Sequence, residues 1–120
     1  MQQEAAGRRD SLVVLFASDR IGDGPEELGR VLARSFVKTL REQGPLPWRM
    51  VFLSAGVALT TEGSVVAEDL RAMETAGAEI LSCGTCLDYF HAKEKLLVGR
   101  ISNMREIVET ITQAGRLLRP

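Results

Sequence analysis

Much of what this chain could be is excluded by what it lacks. It has only two cysteines, so no framework of disulfides staples it together. No apolar run exceeds six residues, well short of the ~20 that span a bilayer, so no membrane association is expected. Basic and acidic side chains nearly cancel, 15 against 16, and a net charge of −1 offers no electrostatic attraction to nucleic acid. Cys83, Cys86 and the single histidine, His91, fall short of the ligand set of a structural zinc site, save one shared between subunits. No metal and no cofactor are expected. The polar stretch Met1 to Asp10 contains no apolar segment of the kind an export signal needs. Internal repeats and low-complexity segments are also missing.

What is present suits one ordinary soluble domain. The chain has 120 residues, 45% hydrophobic and 26% charged, enough to bury a core without staples. Residues 1–10 read as a loose tail and residues 11–120 as a single domain. Ser11 to Ser18 is nearly all apolar, the pattern of a strand buried on both faces of a parallel sheet. Asp19 to Pro25 is rich in turn residues. Pro25, Glu26 and Glu27 suit the start of a helix that runs to about Glu42, with Leu28, Val31, Leu32, Phe36 and Leu40 at helical spacing. Met50 to Leu53 reads as a second buried strand, opened by Trp48 as a packing residue. A long connection, Ser54 to Gly63, follows it.

Ser64 to Ala76 reads as a second helix with Val65, Leu70 and Met73 inward, ended by Gly77. Ala78 to Leu81 reads as a third strand. Leu87 to His91 fits a short helix, and Leu96 to Val98 either a strand or an extended pass. Ser102 or Asn103 caps a helix through Thr112, with Glu106 as capping-box partner and Ile107, Val108 and Ile111 inward. Gly115 to Pro120 reads as a final edge strand. Strands alternating with helices predict an α/β fold, a three-layer α/β/α sandwich on a mostly parallel sheet with right-handed crossovers. Ligands bind such sheets beyond the carboxyl ends of the strands. The loops Asp19–Pro25, Ser54–Gly63 and Ser82–Cys86 are therefore expected on one edge.

The last of these loops carries the chemistry. Cys83-Gly84-Thr85-Cys86 follows a strand and heads into a helix, a setting that lowers a thiol pKa and supports sulfur or redox reactions. The competing reading is two inert core thiols, since free cysteine is commonly buried. Backbone N–H groups at the Gly84-Thr85 turn suit a thiolate or anion. Gly84 also leaves room for a sulfur donor. Asp19 either faces this site or caps its own turn. Gly22 and Gly24 form a short glycine loop able to present N–H groups to an anion. His91 reads as a surface residue between lysines, or as a base near the thiols. Arg100 reads as solvated, or as the holder of an anionic ligand. Glu62 and Asp88 are acid–base candidates by layout alone. With no export signal and a redox-type cysteine pair, a reducing cytoplasm is the expected compartment.

Several blocks together resemble a known family. Leu81-Ser82-Cys83-Gly84-Thr85-Cys86-Leu87-Asp88-Tyr89-Phe90 and Val98-Gly99-Arg100-Ile101-Ser102-Asn103-Met104 are similar to the C-terminal domain of the YedF family of sulfurtransferase-like selenium metabolism proteins, within the DsrE-like superfamily. So are Ala17-Ser18-Asp19, Gly22-Asp23-Gly24, Glu27-Leu28-Gly29, Ser54-Ala55-Gly56-Val57 and Thr60 to Ser64. The likeness runs from about Leu12 to Ile111.

The resemblance implies a five-stranded parallel sheet and a homo-oligomer, whether dimer, trimer or hexamer. It implies persulfide or selenium-related transfer, with Cys83 as the sulfur-carrying group, and it adds Gly56 to the site. Cys86 would then resolve the persulfide by forming a disulfide with Cys83. Full-length members carry an N-terminal TusA-like domain with its own Cys-Pro motif, which this sequence does not contain. The expectation is a standalone version or a piece of a longer protein, exchanging sulfur with a separate carrier of the TusA type. Two other classes stay open: a dithiol redox protein, and a binding module without turnover.

Overall fold

The computed structural model describes residues 11–120, and the expected tail, residues 1–10, lies outside the described residues. Five strands form one sheet: β1 (Leu12–Phe16), β2 (Arg49–Phe52), β3 (Glu79–Cys83), β4 (Arg100–Ser102) and β5 (Arg116–Leu118). Their spatial order is β4-β3-β2-β1-β5, and every neighbouring pair is parallel. The helices are α1 (Glu26–Gln43), α2 (Ala67–Ala76), α3 (Gly84–Tyr89) and α4 (Met104–Gln113), with 3₁₀ turns at Ser54–Leu59 and Lys93–Lys95.

Side-chain alternation along the strands divides the core in two. Leu12, Val14, Phe16, Met50, Phe52 and Ile80 point to the face covered by α1, α2 and the first 3₁₀ turn. Phe16 stacks on Phe52 at 5.2 Å and meets Phe36 of α1 edge-on at 5.8 Å. Val13, Val51, Leu81 and Cys83 point to the other face, where Ile107 and Ile111 of α4 cover them. Both faces are apolar, as the continuous hydrophobic run of β1 predicts.

Helix α1 begins beside Pro25 with Glu26 and Glu27 in its first turn. Its buried ridge is Gly29, Ala33 and Val37, flanked by the half-buried Phe36 and Leu40. The expected stripe is thus partly rotated outward: Leu28, Val31 and Leu32 are exposed. Small residues at Gly29 and Ala33 let the helix lie close, which leaves its larger apolar residues on the outer slope.

Helix α2 starts three residues later than its sequence pattern predicts. The Ser64 hydroxyl donates to the Leu59 carbonyl and accepts from the Val66 N–H, a turn that holds the chain out of the helix and leaves Val65 exposed. Leu96–Val98 is an extended pass and not a sheet strand. Leu96 bridges Thr61 in antiparallel fashion, and the Leu97 N–H donates to the Thr60 carbonyl, so this segment pairs with the connection after β2. The sheet strand is Arg100–Ser102. Asn103 caps α4, its side chain accepting the Glu106 N–H at 2.9 Å, as the capping signal predicts. Val108, expected inward, is exposed on that helix. No helix among the described residues is long and apolar enough to cross a membrane.

Candidate functional site

The strand order places a crevice at the cysteines. From the carboxyl end of β3 the chain leaves for the first face, where Leu87 of α3 is buried in the larger core. From the end of β4, next to it, the chain leaves for the opposite face along α4. Neighbouring strands whose chains part in this way open a ligand-binding crevice between them. Cys83 ends β3 and lies opposite Ser102 of β4 in the register.

The two thiols have different surroundings. Cys83 is 3% exposed and packs into the smaller core cluster. Cys86 is partly exposed and touches both clusters. Both are free thiols. Cys83 occupies the N-cap of α3 and Cys86 its third position, two places whose side chains face each other at a helix start. The pair is near enough for Cys83 to raise the Cys86 pKa. The Ser54 N–H donates to Cys86 Sγ at 3.1 Å. Ser54 holds a left-handed backbone with φ of 52°, an unusual conformation for a residue with a side chain. Burial pushes the Cys86 thiol above its ordinary value, the Ser54 N–H pulls it back, and neighbouring Cys83 raises it further.

Gly56 and Gly84 act by close approach. A Cβ on Gly56 would collide with the Phe16 carbonyl, so glycine lets the 3₁₀ turn press onto the end of β1 and brings Ser54 to Cys86. A Cβ on Gly84 would come within 3.2 Å of the Ser102 carbonyl, so this turn lies against β4. Thr85 is exposed at the same turn.

The other expected residues are only partly gathered. Asp19 is held by Arg30 at 3.3 Å and Arg20 at 3.8 Å. It lines a cleft of about 410 Å³ with Ala55, Glu62, Phe90 and Lys95, a cleft that neither cysteine lines. Gly22 and Gly24 border a different cavity of about 400 Å³, beyond the ends of β1 and β5. Asp88 pairs with Lys93 at 3.0 Å, and His91 is exposed after α3. Arg100 is not left to solvent or to a ligand. It donates to both oxygens of Glu106 and to Glu79, and the bond to Glu106 chiefly holds its pKa above the ordinary value. Among the described residues, no group of three or more His, Cys, Asp or Glu side chains is placed to hold a metal.

Sequence reasoning missed the Ser54 N–H, which no residue type announces, and the wall behind Cys83. There the Ser102 hydroxyl donates to Glu106, which Arg100 and Arg49 also engage. The Arg100 bond, followed by that of Ser102, holds the Glu106 carboxyl well below its usual value, at about 2.

Comparison with solved structures bears on the fold. The chain shares its five-stranded parallel α/β fold with the ychN protein from E. coli. That structure superposes with a TM-score of 0.69 at 18% identity, covering 92% of this chain and 99% of that one. A protein of unknown function from Methanobacterium thermoautotrophicum, MTH1491, matches with a TM-score of 0.63 at 20% identity and the same coverage, 92% and 99%. No family model matches the sequence, and no curated protein matches it.

Proposed function

We propose that this chain carries sulfane sulfur as a persulfide held on Cys83, with Cys86 as the assisting thiol. The observation that carries this reading is the pair itself: two free thiols at the N-cap and third position of one helix, at the crevice where the chains leaving β3 and β4 part, one buried and one partly exposed. A terminal persulfide sulfur is readily reduced and attacked by other thiols. A carrier therefore gains from a site that shields one sulfur while leaving a second in contact with donors. The sequence resemblance to the YedF C-terminal domain supports the same reading, with selenium as a related cargo and a TusA-like protein as donor or acceptor in the cytoplasm. The exposed Leu28, Val31 and Leu32 on α1 support self-association.

Intact mass after incubation of reduced protein with a persulfide donor tests the reading. Wild type should gain one sulfur atom, and the Cys83→Ser/Cys86→Ser double variant none. Loss of two hydrogens without sulfur gain would instead identify a dithiol redox protein. A second reading, a small-ligand module without turnover, is favoured by the charged cleft lined by Asp19, Arg20, Glu62 and Lys95. Unreactive thiols together with ligand-dependent stabilisation would support it and overturn sulfur carriage.

A further inference from the structure

Resting on that reading, we infer that Cys86 receives the sulfur first and passes it to Cys83, so the pair is a relay from surface to interior. Three observations converge on this order. Cys83 is 3% exposed, so a donor meets Cys86, the partly exposed thiol, before it meets Cys83. A cleft lined by Ala55 and Phe90 lies within a residue or a backbone bond of the surroundings of Cys86: Ala55 follows Ser54, whose N–H donates to Cys86 Sγ, and the Phe90 N–H donates to the Cys86 carbonyl. The Ser54 N–H is aimed at Cys86 Sγ, where it offsets part of what burial costs the thiolate, both as attacking and as leaving group.

The chemistry balances without an added oxidant or reductant. The Cys86 thiolate attacks the outer sulfur of a donor persulfide. A new S–S bond forms at Cys86, the donor's S–S bond breaks, and the donor leaves as a thiolate. Cys83, facing Cys86 across the first turn of α3, then attacks the terminal sulfur of the Cys86 persulfide. Its proton passes to the departing Cys86 sulfur, which the Ser54 N–H holds as it leaves. Cys83 now bears the persulfide inside the smaller core cluster, and Cys86 is regenerated as a free thiol. Sulfane sulfur has moved twice, and no atom has undergone net oxidation. Discharge runs the same two steps in reverse toward an acceptor thiolate.

The test is a time course with glutathione persulfide, quenched with iodoacetamide, in which fragment masses locate the added sulfur on either cysteine. In wild type the sulfur should be found first on Cys86 and later on Cys83. Cys86→Ser should load slower by about tenfold or more, because its remaining sulfur reaches the donor only through local opening. Cys83→Ser should still load, on Cys86 and no slower than wild type, and lose its sulfur faster to a mild reductant. Sulfur appearing first on Cys83 in wild type, or a Cys86→Ser variant that loads at the wild-type rate, would overturn the relay while leaving sulfur carriage standing. No sulfur on any form would overturn carriage itself. The wild-type order needs no variant to fold, so a damaged substitution does not shelter the inference.

Discussion

Replacing Glu106 by Gln tests whether the wall behind Cys83 is held by charge. The Glu106 carboxyl accepts from Arg100 through both oxygens and from the Ser102 hydroxyl, and it is three-quarters buried, with 24% of its side chain exposed. These contacts lower its pKa from 4.5 to about 2. That difference between folded and unfolded chains is worth at most about 3–4 kcal/mol. Arg100 is 49% exposed, and screening by solvent brings the contribution down to about 1–2 kcal/mol.

The sign follows from the direction of the shift. A carboxyl with a depressed folded pKa contributes its full stability above 4.5 and loses it as the pH falls from there toward about 2. Urea unfolding of wild type and Glu106→Gln at pH 7 and at intervals down to pH 2.5 reads this out. At pH 7 the variant should lose about 1 M in midpoint, for a slope near 1.5 kcal/mol per M. The two curves should converge toward the acid end, because wild type there has lost its charge as well. Curves that stay parallel across the whole range would refute the assignment, leaving the lost stability to packing.

Three further outcomes follow from the same geometry. Alkylation of Cys86 by iodoacetamide should follow a pH profile displaced above that of an ordinary thiol, and Cys83→Ala should move it back down by removing a neighbour that favours the protonated form; an unmoved profile would contradict the contact. Gly56→Ala should destabilise the protein by about 1–3 kcal/mol, because its Cβ meets the Phe16 carbonyl, and should alter Cys86 alkylation by shifting Ser54; an unchanged Tm would show that the 3₁₀ turn does not press on β1. Arg41→Ala should change stability by less than about 1 kcal/mol, since its pair with Asp69 at 2.8 Å joins an exposed arginine to a partly exposed carboxylate; a larger loss in urea unfolding would mean that α1 and α2 depend on that pair.

The sheet and its order of elements were legible because burial on two faces writes an unmistakable pattern. Leu12 to Phe16 and Met50 to Phe52 have no polar alternation, and only a strand with helices above and below accommodates that. The Asn103 cap was equally readable, because the side chain of one residue and the N–H three residues on settle it. The short pieces were less so. Leu96–Val98 is more apolar than Arg100–Ser102, yet the latter is the strand, since pairing depends on what lies alongside and Thr60 and Thr61 take the former. At the site, the Cys83–Cys86 spacing announced the pair and its loop. What spacing does not encode is which thiol faces outward. That is fixed by Cys83 ending a strand within the sheet and Cys86 falling on the first turn after it.

The same register that buries Cys83 determines how the site is braced. Cys83 lies opposite Ser102, Ser102 is tied to Glu106, and Glu106 is tied to Arg100, itself the first residue of β4. One side of the crevice is therefore a strand clamped to the helix that follows it. The other side is a 3₁₀ turn whose Ser54 N–H takes a left-handed backbone to reach Cys86. Strain of that kind persists only where the surroundings impose it, and here Gly56 pressed onto β1 imposes it. A fixed wall behind the buried thiol and a positioned donor in front of the reachable one support the proposed two-step exchange between the sulfurs.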